Sequence, residues 1–255
     1  MRNMIYKEVF GTNVLKFTEV LSTNLVANSM LKLEQLEAGS IILAEFQKAG
    51  KGMDQNSWES ESRKNILMSA VYNSDFLSPE KQFYLNKIVS LAVSDTLLEI
   101  LPKKDIKIKW PNDIYIGDDK IAGILINNTI KGDFLEYSVL GIGFNVNQVK
   151  FVSDAPNPTS IAILNETEVN REKVFVRLCD QLNFRCRQLR RMDLESIDKD
   201  YMYRLYRFKK YAKFIINDNV MQARITGLDP YGKLMLQEKD GNEYCCDLKE
   251  VSFVI

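Results

Sequence analysis

The stretch KWPNDIYIGDDKIAGILI, residues 109–126, places charged and amide side chains at the ends of an apolar segment. Two short apolar runs within it are joined by Gly-Asp-Asp, which predicts a β-hairpin. Lys109 and Lys120 each precede a run, and Asn112 and Asp113 lie between them. On adjacent strands these groups could converge on one anionic ligand and a magnesium ion. A hairpin with solvated charged ends is the alternative, but so many polar groups in an apolar hairpin favour a binding site.

A second polar set, Ser22-Thr23-Asn24, opens a segment with apolar residues at helical spacing. Residues of these types cap helix N-termini. Their hydroxyl and amide groups could also offer fixed hydrogen bonds to a small polar ligand. The two interpretations are compatible.

The segment from Gln47 to Trp58 is polar and lacks periodicity, which predicts a long exposed loop. Gly50 and Gly52 would let its backbone approach a ligand and offer N–H donors to phosphate, with Lys51 as a point charge between them. A lone G-x-G is a weak signal, because the P-loop and Rossmann continuations are missing. Ordinary loop glycines therefore remain the default for this motif alone.

The segment GIGFNVN, residues 141–147, follows an apolar run and predicts a strand that ends in a glycine turn. Gly141 and Gly143 suit either a tight turn or a flat surface against a ring, and a β-bulge is an equal alternative. Asn145 and Asn147 could contact an amide or the edge of a purine.

Composition excludes several classes of function. The 255 residues include 34 Lys+Arg and 34 Asp+Glu, and this balance argues against a dedicated nucleic-acid binder. The basic run from Arg185 to Lys213 is then interpreted as a solvated face or a docking patch. The absence of histidine excludes Ser-His-Asp and Cys-His systems and most catalytic zinc sites. Without C-x-x-C pairs, a signal peptide or a membrane span, the sequence predicts a soluble cytoplasmic protein with reduced cysteines.

The order of the segments indicates the fold class. Helices are predicted from Ser22 to just before Gly39, over residues 78–102, and as a pair over 171–206. With the strands between them, they predict an α+β fold: a mixed, largely antiparallel sheet with helices mainly on one face. Short strands with turn signals at the end add a small C-terminal β-barrel-like domain. The predicted domains cover residues 1–207 and 208–255.

Taken in order, the motifs resemble the catalytic domain of the biotin–protein ligases over about residues 15–165. The order and spacing of that family are matched by STN at 22–24, FQKAGKG with Trp58 at 46–58, KWPND at 109–113, KIAGIL at 120–125 and GIGFNVN at 141–147. KWPND followed by KIAGIL is the specific part. Because STN begins at residue 22, the resemblance predicts the monofunctional type, without a DNA-binding helix-turn-helix.

The resemblance implies an ATP-dependent ligation in two steps. The carboxylate of biotin attacks the α-phosphate of ATP, and a lysine of a biotin-carrier domain of a biotin-dependent carboxylase, typically acetyl-CoA carboxylase, then attacks the resulting biotinyl-5′-AMP. ATP and biotin are substrates and Mg²⁺ is the expected metal ion. No nucleic acid or membrane is expected as a partner, and a homodimer stays open. Two anions must meet, so the site needs cations rather than histidine.

The resemblance also implies roles for individual residues. The catalytic set is Lys120, as the main electrostatic catalyst, with Lys51 and Asp113, which either engages Mg²⁺ or orients a lysine. The biotin-binding set is Ser22, Thr23, Asn24, Gln47, Gly50, Lys51, Lys120, Gly123, Gly141 and Gly143, the last two as a floor under the ureido ring. The ATP-binding and adenylate-binding set is Lys51, Gly52, Met53, Trp58, which stacks on adenine, Lys109, Asn112 and Asn145.

The loop departs from the family pattern, which usually reads G-R-G-R. Lys51 keeps a positive charge without the two-pronged geometry of arginine, and Met53 stands where an arginine normally helps to order the loop. We expect looser retention of the adenylate unless Lys48 or Lys64 substitutes. Two alternatives to a biotin ligase remain: a lipoate or octanoate ligase of the same fold, and a catalytically silent binding module.

Overall fold

The protein, described by a computed structural model over residues 9–53, 56–153 and 157–255, is built on a seven-stranded sheet. Its strands are β1 (Asn13–Phe17), β2 (Ser40–Ala44), β3 (Ile66–Asn73), β4 (Ile106–Lys109), β5 (Asp113–Ile116), β6 (Asp119–Lys131) and β7 (Phe134–Phe144). They lie in the order β1-β2-β3-β7-β6-β5-β4. β1 is parallel to β2 and the other pairs are antiparallel. The predicted mixed, largely antiparallel sheet is confirmed.

Three long helices cover one face of this sheet. The helices are α1 (Thr23–Lys32), α2 (Phe83–Ile100), α3 (Ile161–Asn165), α4 (Arg171–Arg190) and α5 (Leu194–Arg204), and a 3₁₀ turn (Pro79–Lys81) precedes α2. Adjacent strand residues point to opposite faces: Ile41 joins the large core that includes α2, α4 and α5, whereas Ile42 packs with Ala27 of α1. In the described part of the chain, no helix has the length and apolarity needed to cross a membrane.

A second, smaller sheet follows α5. Its strands are β8 (Tyr211–Ile216), β9 (Asn219–Leu228), β10 (Leu234–Glu238), β11 (Glu243–Cys246) and β12 (Val251–Phe253), in the antiparallel order β11-β10-β9-β8-β12. The indole Nε1 of Trp110, just after β4, donates to the carbonyl of Gly232, 2.9 Å away. This bond attaches the small sheet to the end of the large one. The predicted C-terminal β unit is confirmed, and its boundary at residue 208 stays a prediction.

The helix predicted to run to Gly39 ends at Lys32. Glu34 adopts a φ of 55°, and the Gln35 N–H donates to the Met30 carbonyl at 2.9 Å, so the chain turns back on the helix end. Leu36 then packs on the small cluster formed by Ala27, Ile42 and Val139. The apolar spacing that predicted further helix therefore belongs to a loop that folds back onto the sheet.

The basic run is neither solvated nor free where it enters the core. Arg185 of α4 is buried and pairs with Asp95 of α2 and Asp200 of α5, both at 2.7 Å. Arg204 of α5 also binds Asp95, at 2.7 Å. These cations join the three long helices, because a buried guanidinium needs carboxylate partners.

The cysteines are free thiols, as the sequence predicts. Cys179, Cys186 and Cys246 are buried, whereas Cys245 is exposed. Burial raises the pKa of Cys179 to about 12. This thiol therefore contributes to the packing of the core and does not serve as a nucleophile.

Candidate active site

A cavity of about 380 Å³ opens beside the start of α1, the loop after β2 and the β5–β6 hairpin. The predicted site residues that line it are Ser22, Thr23, Asn24, Gln47, Lys51, Gly52, Met53, Trp58, Lys109, Asn112, Asp113, Lys120, Gly123, Gly141 and Gly143. Leu248, Val251, Ser252 and Phe253 of the small C-terminal unit also line it and were not predicted. Motifs spread over more than 120 positions of the sequence thus meet in one hollow.

The two lysines of the opening motif flank β5 rather than lying on adjacent strands. Lys109 ends β4, Lys120 lies in β6, and Asp113 begins β5 between them. The Nζ of Lys120 is 2.7 Å from Oδ1 of Asp113. The three side chains converge as predicted, but from three strands instead of two. The Asp113 carboxylate pairs with Lys120.

Lys109 lies in an aromatic setting. Its Nζ is 5.1 Å from the ring centre of Tyr115 and 5.2 Å from that of Phe253 in the small sheet. Burial lowers the pKa of Lys109; Asp113 opposes this shift, and the charges of Lys120 and Arg207 add to it. A buried cation of this kind is stabilised by any anion that enters the cavity beside it.

Trp58 lies directly on the glycines that were predicted to support a ligand. A Cβ added at Gly143 would lie 2.8 Å from the indole Cδ2, and one at Gly123 would lie 2.9 Å from Cζ3. The Nζ of Lys120 is 5.6 Å from the centre of this ring. Gly143 and Gly123 thus make room for the indole, and both lie inside paired strands. The glycine turn predicted for GIGFNVN is wrong, because β7 continues through Phe144.

Gly141 makes room for Asn24. A Cβ there would lie 2.7 Å from both the Asn24 Nδ2 and the Leu125 carbonyl oxygen. Asn24 is fixed in this place because its Nδ2 donates to that carbonyl, at 2.9 Å, and to the Asn127 Oδ1, at 3.0 Å. The glycine thus serves a side chain of the protein, which in turn lines the cavity.

Ser69 of β3 holds the two polar residues that follow Ser22. Its Oγ lies 2.7 Å from the Thr23 Oγ1 and 2.5 Å from the Asn24 Oδ1. Thr23 in turn donates its backbone N–H, at 2.8 Å, and its hydroxyl, at 3.1 Å, to the Gln47 Oε1. Ser22 is the N-cap residue, but its side chain makes no capping bond. The sequence analysis missed Ser69, although a serine inside the apolar run ILMSAVYN was a signal.

Backbone groups within the loop after β2 form hydrogen bonds with one another. Lys51 pairs with Ser57 in a β-bridge, and the Gly52 N–H donates to the Asn56 carbonyl at 2.6 Å. That N–H is therefore not free for phosphate in this conformation, contrary to the sequence-based interpretation. Gly50 does not line the cavity: a Cβ there would lie 2.8 Å from the Trp58 carbonyl oxygen and 2.9 Å from the Gln47 Nε2. Residues 54 and 55 of the loop lie outside the described residues.

A second cavity, of about 520 Å³, adjoins the first and shares Trp58, Lys109, Asp113 and Lys120 with it. Asn145 lines this cavity. Its Nδ2 donates to the Thr159 carbonyl at 3.0 Å, while its Oδ1 is buried and has no hydrogen-bond partner among the described residues. A buried unpaired acceptor is costly, so the position favours a ligand that carries an N–H donor.

The other two predicted amides are committed to the protein. Asn112 donates its Nδ2 to the Ile124 carbonyl and to the Met53 Sδ. Asn147 bonds both the backbone N–H and the carbonyl of Val169, at 2.9 Å each. Asn147 is structural, and Asn112 orders the cavity wall with only its remaining oxygen lone pairs for a ligand.

The carboxylates do not form a metal site by themselves. Among the described residues, no group of three or more His, Cys, Asp or Glu side chains could hold a metal ion. Asp113 is the one acid in the described lining of the first cavity, and it pairs with Lys120. The arrangement suits chemistry between two anions, one in each cavity, with cations at their junction.

The model of the biotin/lipoate A/B protein ligase family matches residues 14–145. The chain belongs to this family. The matched range includes the first four motifs that predicted the relationship and residues 141–145 of the fifth, and the relationship is confirmed.

The named relatives include a ligase/repressor and a biotin ligase. The bifunctional ligase/repressor BirA of Salmonella typhimurium is 26% identical over 241 residues, covering 93% of this chain and 73% of that protein. The biotin–[acetyl-CoA-carboxylase] ligase of Mycobacterium tuberculosis is 30% identical over 154 residues, 60% of this chain and 56% of its own length. The structure of the biotin protein ligase of Aquifex aeolicus, in complex with biotin and ATP, matches with a TM-score of 0.76 at 20% identity, covering 95% of this chain and 100% of that one. This last similarity shows the shared fold.

Proposed function

We propose that this protein is a biotin–protein ligase that joins biotin to a lysine of a carrier domain through biotinyl-5′-AMP. The observation that carries the proposal is the position of Lys120, which lines both cavities and is held by Asp113 at 2.7 Å. A carboxylate in the first cavity and an α-phosphate reaching in from the second would meet at this ammonium group. Family membership and the names of the relatives support the same activity.

The first cavity suits the biotin ring system. A ureido group needs both donors and acceptors, and the side chains of Thr23, Asn24 and Gln47 are fixed by hydrogen bonds around this space. Fixed partners reduce the entropy lost on binding. With the ring among these groups, the carboxylate tail points toward Lys120.

The second cavity suits the adenine of ATP. Trp58 presents the indole face that is turned away from the glycines, and aromatic faces stack on bases. The unpaired Oδ1 of Asn145 accepts a hydrogen bond, which matches the 6-amino group of adenine and not the 6-oxo group of guanine. Lys51 and Lys109 supply positive charge to the phosphates. Gly52 would contribute its N–H only after its bond to Asn56 opens.

The chemistry then follows from charge. In the first step a biotin carboxylate oxygen bonds to the α-phosphorus, the bond to the bridging oxygen of the β-phosphate breaks, and pyrophosphate leaves. Lys120 reduces the repulsion between the two anions and stabilises the charge that builds up on the phosphorus oxygens. In the second step the carrier lysine amine attacks the acyl carbon, AMP leaves, and the amine loses a proton to water.

Mg²⁺ fits this site as an ion that the nucleotide carries. Magnesium is commonly held by one or two carboxylates together with substrate phosphates and water, and Asp113 is the carboxylate at hand. When bound, the ion would neutralise triphosphate charge. Because Asp113 pairs with Lys120, orienting that lysine is the role we assign to it.

The remaining partners are part of the proposal. The protein partner is the carrier domain of a carboxylase, and the reaction takes place in the cytoplasm. No nucleic-acid partner is expected, and the pairing of Arg185 and Arg204 of the basic run within the protein supports this expectation. A homodimer stays a prediction from the resemblance.

The decisive experiment is mass measurement of an isolated carrier domain after incubation with the protein, biotin and ATP. We expect the mass of one added biotinyl group, and none when ATP or biotin is left out. Biotin-dependent exchange of pyrophosphate into ATP, absent with lipoate, would separate biotin ligation from lipoate ligation. Exchange with lipoate alone would reverse the assignment, and no exchange with either acid would reject an adenylating ligase.

Replacing Ser69 by alanine should raise the KM for biotin about tenfold, because Thr23 and Asn24 lose the hydroxyl that fixes them. The KM for ATP should stay unchanged, since Ser69 does not line the second cavity. Ser74→Ala is the matched control: this serine is also buried and bonded, to Ser138 at 2.8 Å, but lies outside both cavities. Equal biotin KM values for the two variants would contradict the assignment.

Replacing Met53 by arginine should slow the release of biotinyl-5′-AMP by about tenfold, because a charge-assisted hydrogen bond would be added. Met53 lines the first cavity. The two lysines that could have substituted are paired elsewhere, Lys48 with Glu19 and Lys64 with Glu168, both at 2.5 Å. Release is measured by rapid dilution of the preformed complex, with Met53→Leu as an uncharged control. Equal release rates in all three proteins would end the hypothesis.

A further inference from the structure

Glu59, the residue after Trp58, ties the Trp58 loop to a distant part of the chain. Its Oε1 accepts the Val152 N–H at 2.9 Å, and its Oε2 accepts the Ser153 N–H at 2.8 Å. Gln148 donates its Nε2 to the same carboxylate at 3.2 Å. One side chain thus receives hydrogen bonds from two consecutive backbone groups more than 90 positions away.

These two segments both line the second cavity, one through Trp58 and Glu59 and the other through Phe151 and Ser153. The Val152 side chain is 90% exposed, so it contributes little apolar packing to its segment. A carboxylate that accepts paired backbone N–H groups forms strong, charge-assisted bonds. Glu59 therefore joins the two segments where they line the cavity.

The ionisation of Glu59 agrees with this geometry. Burial raises the pKa of its carboxyl group, but hydrogen bonds from the Ser153 side chain, the Val152 and Ser153 backbone and Gln148 outweigh burial and lower it overall. A lowered carboxyl pKa means that the surroundings stabilise the anion. Glu59 is thus the charged partner that these donors require at neutral pH.

We propose that Glu59 is a positioning residue for the nucleotide: it holds residues 151–153 against the Trp58 segment and so sets the affinity for the base of ATP. This inference rests on the proposed function. It acts through the two segments that it joins. Without it, the two N–H groups turn to water and residues 151–153 are no longer held beside Trp58, so the cavity for the base loses its shape.

The test compares Glu59→Ala and Glu59→Gln with the wild-type protein. ATP affinity is measured by quenching of tryptophan fluorescence, which reports on Trp58 because the other tryptophan, Trp110, does not line the second cavity. We expect ATP to bind about tenfold more weakly to Glu59→Ala, the equivalent of one lost hydrogen bond. The ATP affinity of Glu59→Gln should fall between those of the wild-type protein and Glu59→Ala, because the glutamine amide keeps one acceptor oxygen for two donors.

A split between substrates distinguishes positioning from general destabilisation. In biotin-dependent pyrophosphate exchange, the KM for ATP should rise while the KM for biotin and kcat at saturating ATP stay within about twofold, since the bonds lost are outside the first cavity. Glu61→Gln, in the same segment but outside both cavities, should behave as wild type. Unchanged ATP affinity in Glu59→Ala, or an equal loss of ATP and biotin affinity, would overturn the proposal.

Failure of this inference is distinguishable from failure of the proposed function. If the wild-type protein binds ATP but transfers no biotin, the ligase proposal fails while the fluorescence titration still decides on Glu59. If biotin is transferred and Glu59→Ala binds ATP normally, only the role of Glu59 is rejected. Absence of ATP binding by the wild-type protein would reject both.

Discussion

Lys120→Ala should lower the rate of carrier biotinylation by about 10²–10³-fold, the usual effect of removing a charge that stabilises a transition state. The ammonium group lies at the junction of the two cavities, 2.7 Å from Asp113. Its removal leaves a carboxylate that repels both biotin and the nucleotide. The defect should appear in pyrophosphate exchange as well as in the final transfer, because the first step brings two anions together. The measurement is the single-turnover rate with the carrier domain, followed by mass.

Two further variants make this prediction specific. Lys120→Arg keeps the positive charge but changes its shape, so a partial recovery relative to alanine is expected. Lys131→Ala lies on the same strand, β6, where its Nζ pairs with Glu136 at 2.9 Å, away from both cavities. This control should retain wild-type activity. A Lys120→Ala protein within fivefold of wild type would remove the central step of the proposed mechanism.

Gly143→Ala should raise the KM for ATP by about 10²-fold, because overpacking by one methyl group costs about 1–3 kcal/mol. The new Cβ would lie 2.8 Å from two atoms of the indole, so Trp58 must leave its place on the sheet. Displacement of this ring disturbs both the stacking surface for the base and the approach to Lys120. Tryptophan fluorescence reports the change directly, through a shifted emission of Trp58 and a weaker response to ATP.

The matched control for this substitution is Gly227→Ala in β9. A Cβ there meets nothing within 4 Å, and the residue lies in a paired strand of the small sheet. Both changes add one methyl group to a strand, so a general effect on strand stability would appear in both proteins. Gly227→Ala should retain the wild-type ATP affinity. A normal KM for ATP in Gly143→Ala would contradict the account of the Trp58 position.

Much of the site was predictable because each motif identifies individual residues of the site. Of the residues proposed from KWPND, KIAGIL and GIGFNVN, most line the two cavities. The spacing of apolar residues likewise indicated the fold, because the patterns typical of strands and helices are visible within short segments of sequence. Prediction failed where a side chain finds its partner far along the chain. Ser69 bonds Thr23, 46 positions away, and nothing in the local pattern of β3 says which polar groups its hydroxyl would meet.

By itself, the sequence determined the family, the α+β class with its small C-terminal β unit, and the cationic character of the site. These properties reside in residue types and short-range order. Only the tertiary structure decided that Gly143 makes room for Trp58, that the Gly52 N–H bonds Asn56, and that Glu59 bonds the backbone of residues 152 and 153. The physical reason is that close packing and hydrogen bonding depend on distances of a few tenths of an ångström between elements. Those distances exist only once the chain has folded.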